Sequence, residues 1–240
     1  MKRKFLIISI ISTFVIAFSV GGVFTFNFGK TKTSAPQRVV PKDSVGIDVA
    51  RYQGDIDWQT VSMEKILFVY IKATEGKTYI DPKFHQNIKG AQKAGLKVGA
   101  YHFFRMTSGA REQFNHFYSQ VSKYKMDLIP MIDVEVSSNE VKSIKQVHDS
   151  LDVFINLVTQ KYGKKPMIYG TQRSYNTYCA PKYNNLHLYI GRYGKNAPEI
   201  KGEGSYTIWQ YSEHGKVNGI PKAVDLCRFR KGYGVKDIKL

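Results

Sequence analysis

The chain is predicted to be α/β: a closed or nearly closed (β/α) barrel of the TIM type, with eight strands and about five helices, preceded by an N-terminal apolar segment. Three observations lead there. Eight short apolar runs recur after residue 44, and stripes at helical spacing separate several of them. Strands alternating with helices imply parallel pairing through crossovers. No Gly-rich phosphate fingerprint follows the first run, which weakens the competing reading, an open doubly wound sheet.

The strand-like runs fall at 45–49, 68–73, 97–104, 128–136, 166–171, 186–193, 206–211 and 224–229. Between the second and third, Phe84, Ile88, Ala91 and Ala94 recur on one helical face, and Gly95 marks a stop. Phe114, Phe117 and Val121 form a second stripe. Ile144, Val147, Leu151, Phe154, Ile155 and Val158 form the longest, ending near Gly163. After Thr171 the connections shorten and become rich in Gly, Asn, Pro and Lys, so the last helices of a full barrel are expected to be missing or stunted.

The N-terminus reads separately. Lys2, Arg3 and Lys4 precede an uncharged stretch at 5–28. A spanning helix needs about 20 apolar residues and a signal-peptide core about 7–15. Length favours an uncleaved single-pass anchor at 1–29, with a cleaved signal and a secreted product as the alternative. A basic tether at 30–43 and a barrel domain at 44–240 follow. The positive-inside rule puts Lys2–Lys4 in the cytoplasm and the barrel outside it. The net charge is +17, and only three positive charges precede the apolar stretch. An exported basic domain without a nucleic-acid motif points to an anionic wall or membrane surface, not to nucleic acid. Cys179 and Cys227 form either one bridge or two buried thiols. The histidines lack ligand spacing, so neither metal nor other cofactor is expected, and the domain reads as a monomer.

In such barrels the active site lies at the C-terminal ends of the strands. Those ends carry Asp48 and Gln53, Lys72 and Glu75, Tyr101 and His102, Asp133 and Glu135, Tyr169, Arg192 and Tyr193, and Trp209, Gln210 and Tyr211, and the eighth run carries Asp225. The fourth run, LIPMIDVEV, places Asp133 and Glu135 at positions i and i+2, which face the same side of a strand with Cα atoms about 6.5–7 Å apart. Close carboxylates raise one another's pKa, and a carboxyl that keeps its proton can act as a general acid. Closing the barrel would bring Asp48 and Asp225 together. Four acids ringed by aromatic side chains suit a carbohydrate. Bland readings stand beside these: a turn cap for Asp48, an ion pair for Glu75, satisfied core positions for Tyr101 and His102, and packing for Trp209 and Tyr211.

The stretches GIDVARYQGDIDWQTV, FVYIKATEGKTYIDPKFHQNIKGAQKAGLKVGAYHFF, IPMIDVEV, MIYGT and YTIWQYSEHGKVNGIPKAVDLCRF, in this order, closely resemble family 25 glycoside hydrolases, the lysozymes or N-acetylmuramidases. The resemblance runs over about 45–232. It implies a flattened (β/α) barrel with eight strands and fewer than eight helices, and hydrolysis of the β-1,4 bond between N-acetylmuramic acid and N-acetylglucosamine in peptidoglycan. It implies a catalytic set of Glu135, Asp133, Asp48 and Asp225, with Glu135 as proton donor, and active-site tyrosines at Tyr101 and Tyr169. Trp209, Gln210, Tyr211, Gln53 and Arg192 complete the expected substrate contacts. The chain departs from the family where Cys227 replaces an Asn and where Leu188–Gly191 lacks a customary Trp. A non-catalytic glycan-binding barrel and a chitinase-like glycosidase are the alternatives.

Overall fold

The computed structural model describes residues 45–136 and 143–240. The strands are β1 Val45–Val49, β2 Ile66–Glu75, β3 Tyr79–Ile80, β4 Lys97–Phe103, β5 Met131–Asp133, β6 Met167–Thr171, β7 Leu188–Gly191, β8 Ile208–Gly215 and β9 Val224–Phe229. The helices are α1 Trp58–Met63, α2 Phe84–Lys93, α3 Ala110–Val121, α4 Ile144–Tyr162 and α5 Gln172–Tyr178. The sheet runs β1-β9-β8-β7-β6-β5-β4-β2, and β1 pairs with β2 to close an eight-stranded barrel. The short β3 hairpins onto β2 outside the ring.

Seven of the barrel strands are parallel, and one departs from that expectation. β9 pairs antiparallel with both β8 and β1. The reason lies in the connections. Parallel neighbours need a long crossover, whereas β8 and β9 are joined by a short segment with no helix, which permits only a hairpin.

Two apolar layers follow from the two-residue alternation of strands. On β2, Phe68 and Tyr70 fill the barrel, while Val69, Ile71 and Ala73 face the helices. On β6, Met167 and Tyr169 point inward and Ile168 outward. Large aromatics inside a narrow barrel require small partners. A Cβ on Gly46 would lie 2.1 Å from the Phe68 ring, and one on Gly99 would lie 2.4 Å from the Tyr70 ring. The outer layer is covered by the stripes read from sequence: Phe84, Ile88 and Ala91 of α2, Phe114, Phe117 and Val121 of α3, and Val147, Leu151, Phe154, Ile155 and Val158 of α4. Ile144 begins the α4 stripe but is exposed, in the first turn. Ser143 caps that helix by accepting from the Gln146 N–H, and Gly163 ends it with φ of 70°.

Several strand boundaries differ from expectation, and β2 extends by two residues at each end, to Ile66–Glu75. β5 is only Met131–Asp133, because Pro130 has no N–H for the ladder and Leu128 instead bridges to Lys239. β7 is shorter than expected and β8 longer, extended to Gly215 by its hairpin with β9. Cys179 lies in the helix-facing layer and Cys227 inside the barrel, so both are free buried thiols. Among the described residues no helix is long and apolar enough to cross a membrane; the stretch 5–28 and the tether lie outside them.

Candidate active site

A cleft of about 330 Å³ opens at the C-terminal end of the parallel strands. Its lining includes Asp48, Asp133, Glu135 and Asp225, and also Gln53, Tyr101, Tyr169 and Gln210. The same alternation that fills the barrel brings them together. On β1, β4, β5, β6, β8 and β9 the inward positions next to the cleft are Asp48, Tyr101, Asp133, Tyr169, Gln210 and Asp225. Glu135 continues the inward sequence Met131, Asp133 beyond the end of β5.

Asp48 and Asp225 sit opposite each other in the β1–β9 ladder. Asp48 Oδ2 accepts from the Tyr189 hydroxyl at 2.6 Å and from Gln210 Nε2 at 3.0 Å. Gln210 Oε1 in turn accepts from the Tyr169 hydroxyl at 2.8 Å. Burial raises the Asp48 carboxyl, and the hydrogen bonds from Tyr189, Gln210 and Asp225 oppose that rise. Asp225 is pushed up to about 8, by burial first and then by the charge of Asp48. A proton therefore resides on Asp225 and is donated to Asp48, which acts as the acceptor of the pair.

Asp133 is 7% exposed, and its Oδ1 has no hydrogen-bond partner. Burial holds its carboxyl well above the usual range, and the charge of Glu135 adds to this. Glu135 is half-buried and is also raised, by burial and then by Asp48. Lys72, on the inward row of β2, lines the cleft and pulls both carboxyls the other way. The Tyr101 and Tyr169 phenols are raised by burial and then by the neighbouring carboxylates, so both remain proton donors at neutral pH. The exposed rings of Tyr52 and Tyr193 flank this polar floor.

Other strand-end residues are placed elsewhere. Trp209 and Tyr211 occupy the outward row of β8 and pack on each other and on the Arg228 guanidinium. Trp209 Nε1 donates to the Arg192 carbonyl. Arg192 pairs with Glu199 and donates to the Ala197 carbonyl. None of Trp209, Tyr211 and Arg192 is in the cleft lining. His102 faces the helices, where Thr74 and Gln113 satisfy both ring nitrogens and the ring stacks on Phe154. Burial lowers its pKa to about 3, so it is neutral. Burial works to raise Glu75, but hydrogen bonds from Lys72 and Arg105 outweigh it and keep this carboxyl low.

Sequence reading placed Lys72 and Tyr193 at strand ends without giving them a role, and it did not name Tyr189 or Glu213. Tyr189 and Lys72 were recoverable from inward parity. Glu213 was not, because the β8 ladder shifts register between Gln210 and Ser212, which turns an odd-numbered side chain into the cleft. Among the described residues no three His, Cys, Asp or Glu side chains are grouped to hold a metal ion.

Comparison with known proteins is consistent with this geometry. Residues 47–220 match the model of glycosyl hydrolases family 25. The autolytic lysozyme of Clostridium acetobutylicum is 36% identical over 187 residues, which cover 78% of this chain and 56% of that protein. The chain thus spans little more than half of that relative. Lysozyme M1 of Streptomyces globisporus is 32% identical, over 77% of this chain and 67% of that protein. The structure of a family 25 glycosyl hydrolase from Bacillus anthracis superposes with a TM-score of 0.73 at 37% identity, covering 79% of this chain and 90% of that one.

Proposed function

The chain belongs to glycoside hydrolase family 25, and from that premise we propose that it is a muramidase, hydrolysing the β-1,4 bond from N-acetylmuramic acid to N-acetylglucosamine in peptidoglycan. The observation that carries the reading is the convergence of four carboxyl groups, from β1, β5 with the residues just beyond it, and β9, on one cleft. Exposed Tyr52 and Tyr193 supply faces on which sugar rings rest.

Access separates the roles of the two central acids. Glu135 is the more exposed and carries a raised pKa, so it reaches the glycosidic oxygen and donates its proton to it. Asp133 is buried, and its free Oδ1 suits the N–H of the substrate's 2-acetamido group. Held this way, the acetamido oxygen attacks the anomeric carbon as the bond to the leaving oxygen breaks, and that oxygen takes the Glu135 proton. The resulting oxazolinium is opened by water, whose proton returns to Glu135. This is the substrate-assisted variant of glycoside hydrolysis. Asp48, fixed by Tyr189, Gln210 and Asp225, is a positioning acceptor for a sugar hydroxyl.

Digestion of purified peptidoglycan followed by mass analysis of the fragments tests the proposal. Muramidase action leaves N-acetylmuramic acid at the new reducing end, while N-acetylglucosamine there would assign a different glycosidase. De-N-acetylated glycan should be cut about 100-fold or more slowly, because it lacks the internal nucleophile. Equal rates on the two glycans would remove the role given to Asp133.

We further propose that the enzyme acts from the membrane surface, with the barrel outside the cytoplasm. The uncharged stretch at 5–28 behind three basic residues supports that placement. Fractionation of cells into membrane, wall and medium checks it. Protein found free in the medium, shortened at its N-terminus, would replace the anchor with a cleaved signal.

A further inference from the structure

The end of the barrel opposite the cleft has its own chemistry. A second cavity, about 560 Å³, lies among the residues that enter the parallel strands. Its lining includes Lys164 and Lys165 just before β6, His187 just before β7, and Thr207 just before β8. Arg230 and Lys231 leave the antiparallel β9 at the same end, and the Arg230 N–H donates to the Thr207 carbonyl. The C-terminal residues return there too: Lys164 Nζ donates to the Lys239 carbonyl, and Asp237 lines the cavity.

Six cations thus gather at one end: Lys164, Lys165, Arg230, Lys231, Lys236 and Lys239. All six are exposed, and none makes an ion pair among the described residues. Asp237 is the one acid in the cavity lining. The cleft end is opposite in sign, with Asp48, Asp133, Glu135, Glu213 and Asp225 around a single Lys72 in its lining. The linings of the two cavities therefore differ in sign, in a domain whose charge is strongly basic overall: 29 Lys and Arg against 18 Asp and Glu follow position 44. The chain also enters the barrel at the basic end, since Val45 starts β1 beside Ile66 at the start of β2. The residues leading into it comprise the uncharged stretch 5–28 and then Lys30, Lys32, Arg38 and Lys42.

We propose that this basic end is a docking surface for an anionic phospholipid bilayer, which holds the barrel with its carboxylate cleft facing away from the membrane. Clustered lysines and arginines next to a membrane segment are attracted to anionic headgroups, and the attraction is lost within a Debye length. Charge complementarity and the point of chain entry both select this occupant. The proposal does not depend on the reaction assigned to the cleft, but it rests on the membrane placement proposed above.

The test uses the full chain with a single dye on Leu240→Cys, at the basic end, or on Lys195→Cys, in the loop that follows β7 at the cleft end. Cys179 and Cys227 are buried and leave the labelling specific. The protein is mixed with vesicles of phosphatidylcholine, alone or with phosphatidylglycerol, carrying a headgroup acceptor dye. Energy transfer from position 240 should rise in anionic vesicles and return to the neutral-vesicle level in high salt, while transfer from position 195 stays low. Each cation is worth about fivefold in partitioning, so Lys164→Glu with Lys165→Glu should lower the ratio of docked to free barrel at least about tenfold. Lys164→Gln with Lys165→Gln, which leaves less repulsion, should give an intermediate ratio at an unchanged thermal transition. Docking that is equal on neutral vesicles, or that survives both double variants, overturns the proposal. A wild type that ignores the anionic vesicles yet binds soluble poly(glycerol phosphate) also overturns it and gives the face to a soluble polyanion.

Discussion

Asp225 shows how the cleft sets function against stability at the scale of one residue. Its folded pKa, about 8, lies far above the value of an exposed aspartate. Between those two values the native state binds the extra proton, so this group lowers stability as pH rises through that window, and the penalty is absent below the unfolded pKa. Asp225→Asn removes the ionisation. It should stabilise the protein by about 1–2 kcal/mol at pH 8 and by close to nothing at pH 4, read as the shift in thermal midpoint at the two pH values. A gain larger at pH 4 would reverse the assignment of the proton. The raised pKa of Glu135 has a parallel consequence for rate: activity should fall on the alkaline side as Glu135 loses its proton, and Asp48→Asn, which removes the charge that raises Glu135, should move that limb of the kcat profile to lower pH. Asp48, Asp133 and Glu135 were legible in the sequence because each lies near the C-terminal end of a strand-like run, whereas Asp225 opens its run and reaches the same rim because β9 is antiparallel. Trp209, Tyr211 and Arg192 share that sequence property yet lie outside the cleft lining, because proximity to a strand end does not say which face a side chain takes. Inward parity, set on β8 by Ile208 and Gln210, is the missing information.

At the scale of elements, the barrel depends on small residues opposite large ones. Phe68 and Tyr70 of β2 fill the interior only because Gly46 of β1 and Gly99 of β4 leave room. Gly99→Ala should cost about 1–3 kcal/mol by overpacking, measured by denaturant unfolding, and paired with Tyr70→Phe it should cost nearly as much, since the clash is with ring carbons and not with the hydroxyl. An unchanged midpoint for Gly99→Ala would mean that the interior packs differently. The helical stripes were readable because α2, α3 and α4 each bury one face at a period of 3.6. The boundaries of β5 and the antiparallel sense of β9 were less so. The first depends on Pro130 and a long-range bridge from Leu128 to Lys239, and the second on a connection too short for a crossover.

Across the whole molecule, closure of the sheet is what makes a site. Asp48 and Asp225 are distant in sequence and meet only because β9 returns to pair with β1. One end of the barrel then collects carboxyls in a cleft, and the other has a cavity lined by Lys164 and Lys165. A basic body is suited to an anionic wall or membrane, while the cleft, with its protons held by burial, is suited to acid-catalysed bond cleavage. In this mechanism Glu135 supplies the proton. The most direct measurement is the release of reducing ends from purified peptidoglycan by wild type and Glu135→Gln, at matched concentration and with matched thermal transitions. Loss of at least about 1,000-fold in rate with folding intact is the predicted result. A variant that clears the substrate at the wild-type rate would mean that Glu135 is not the proton donor.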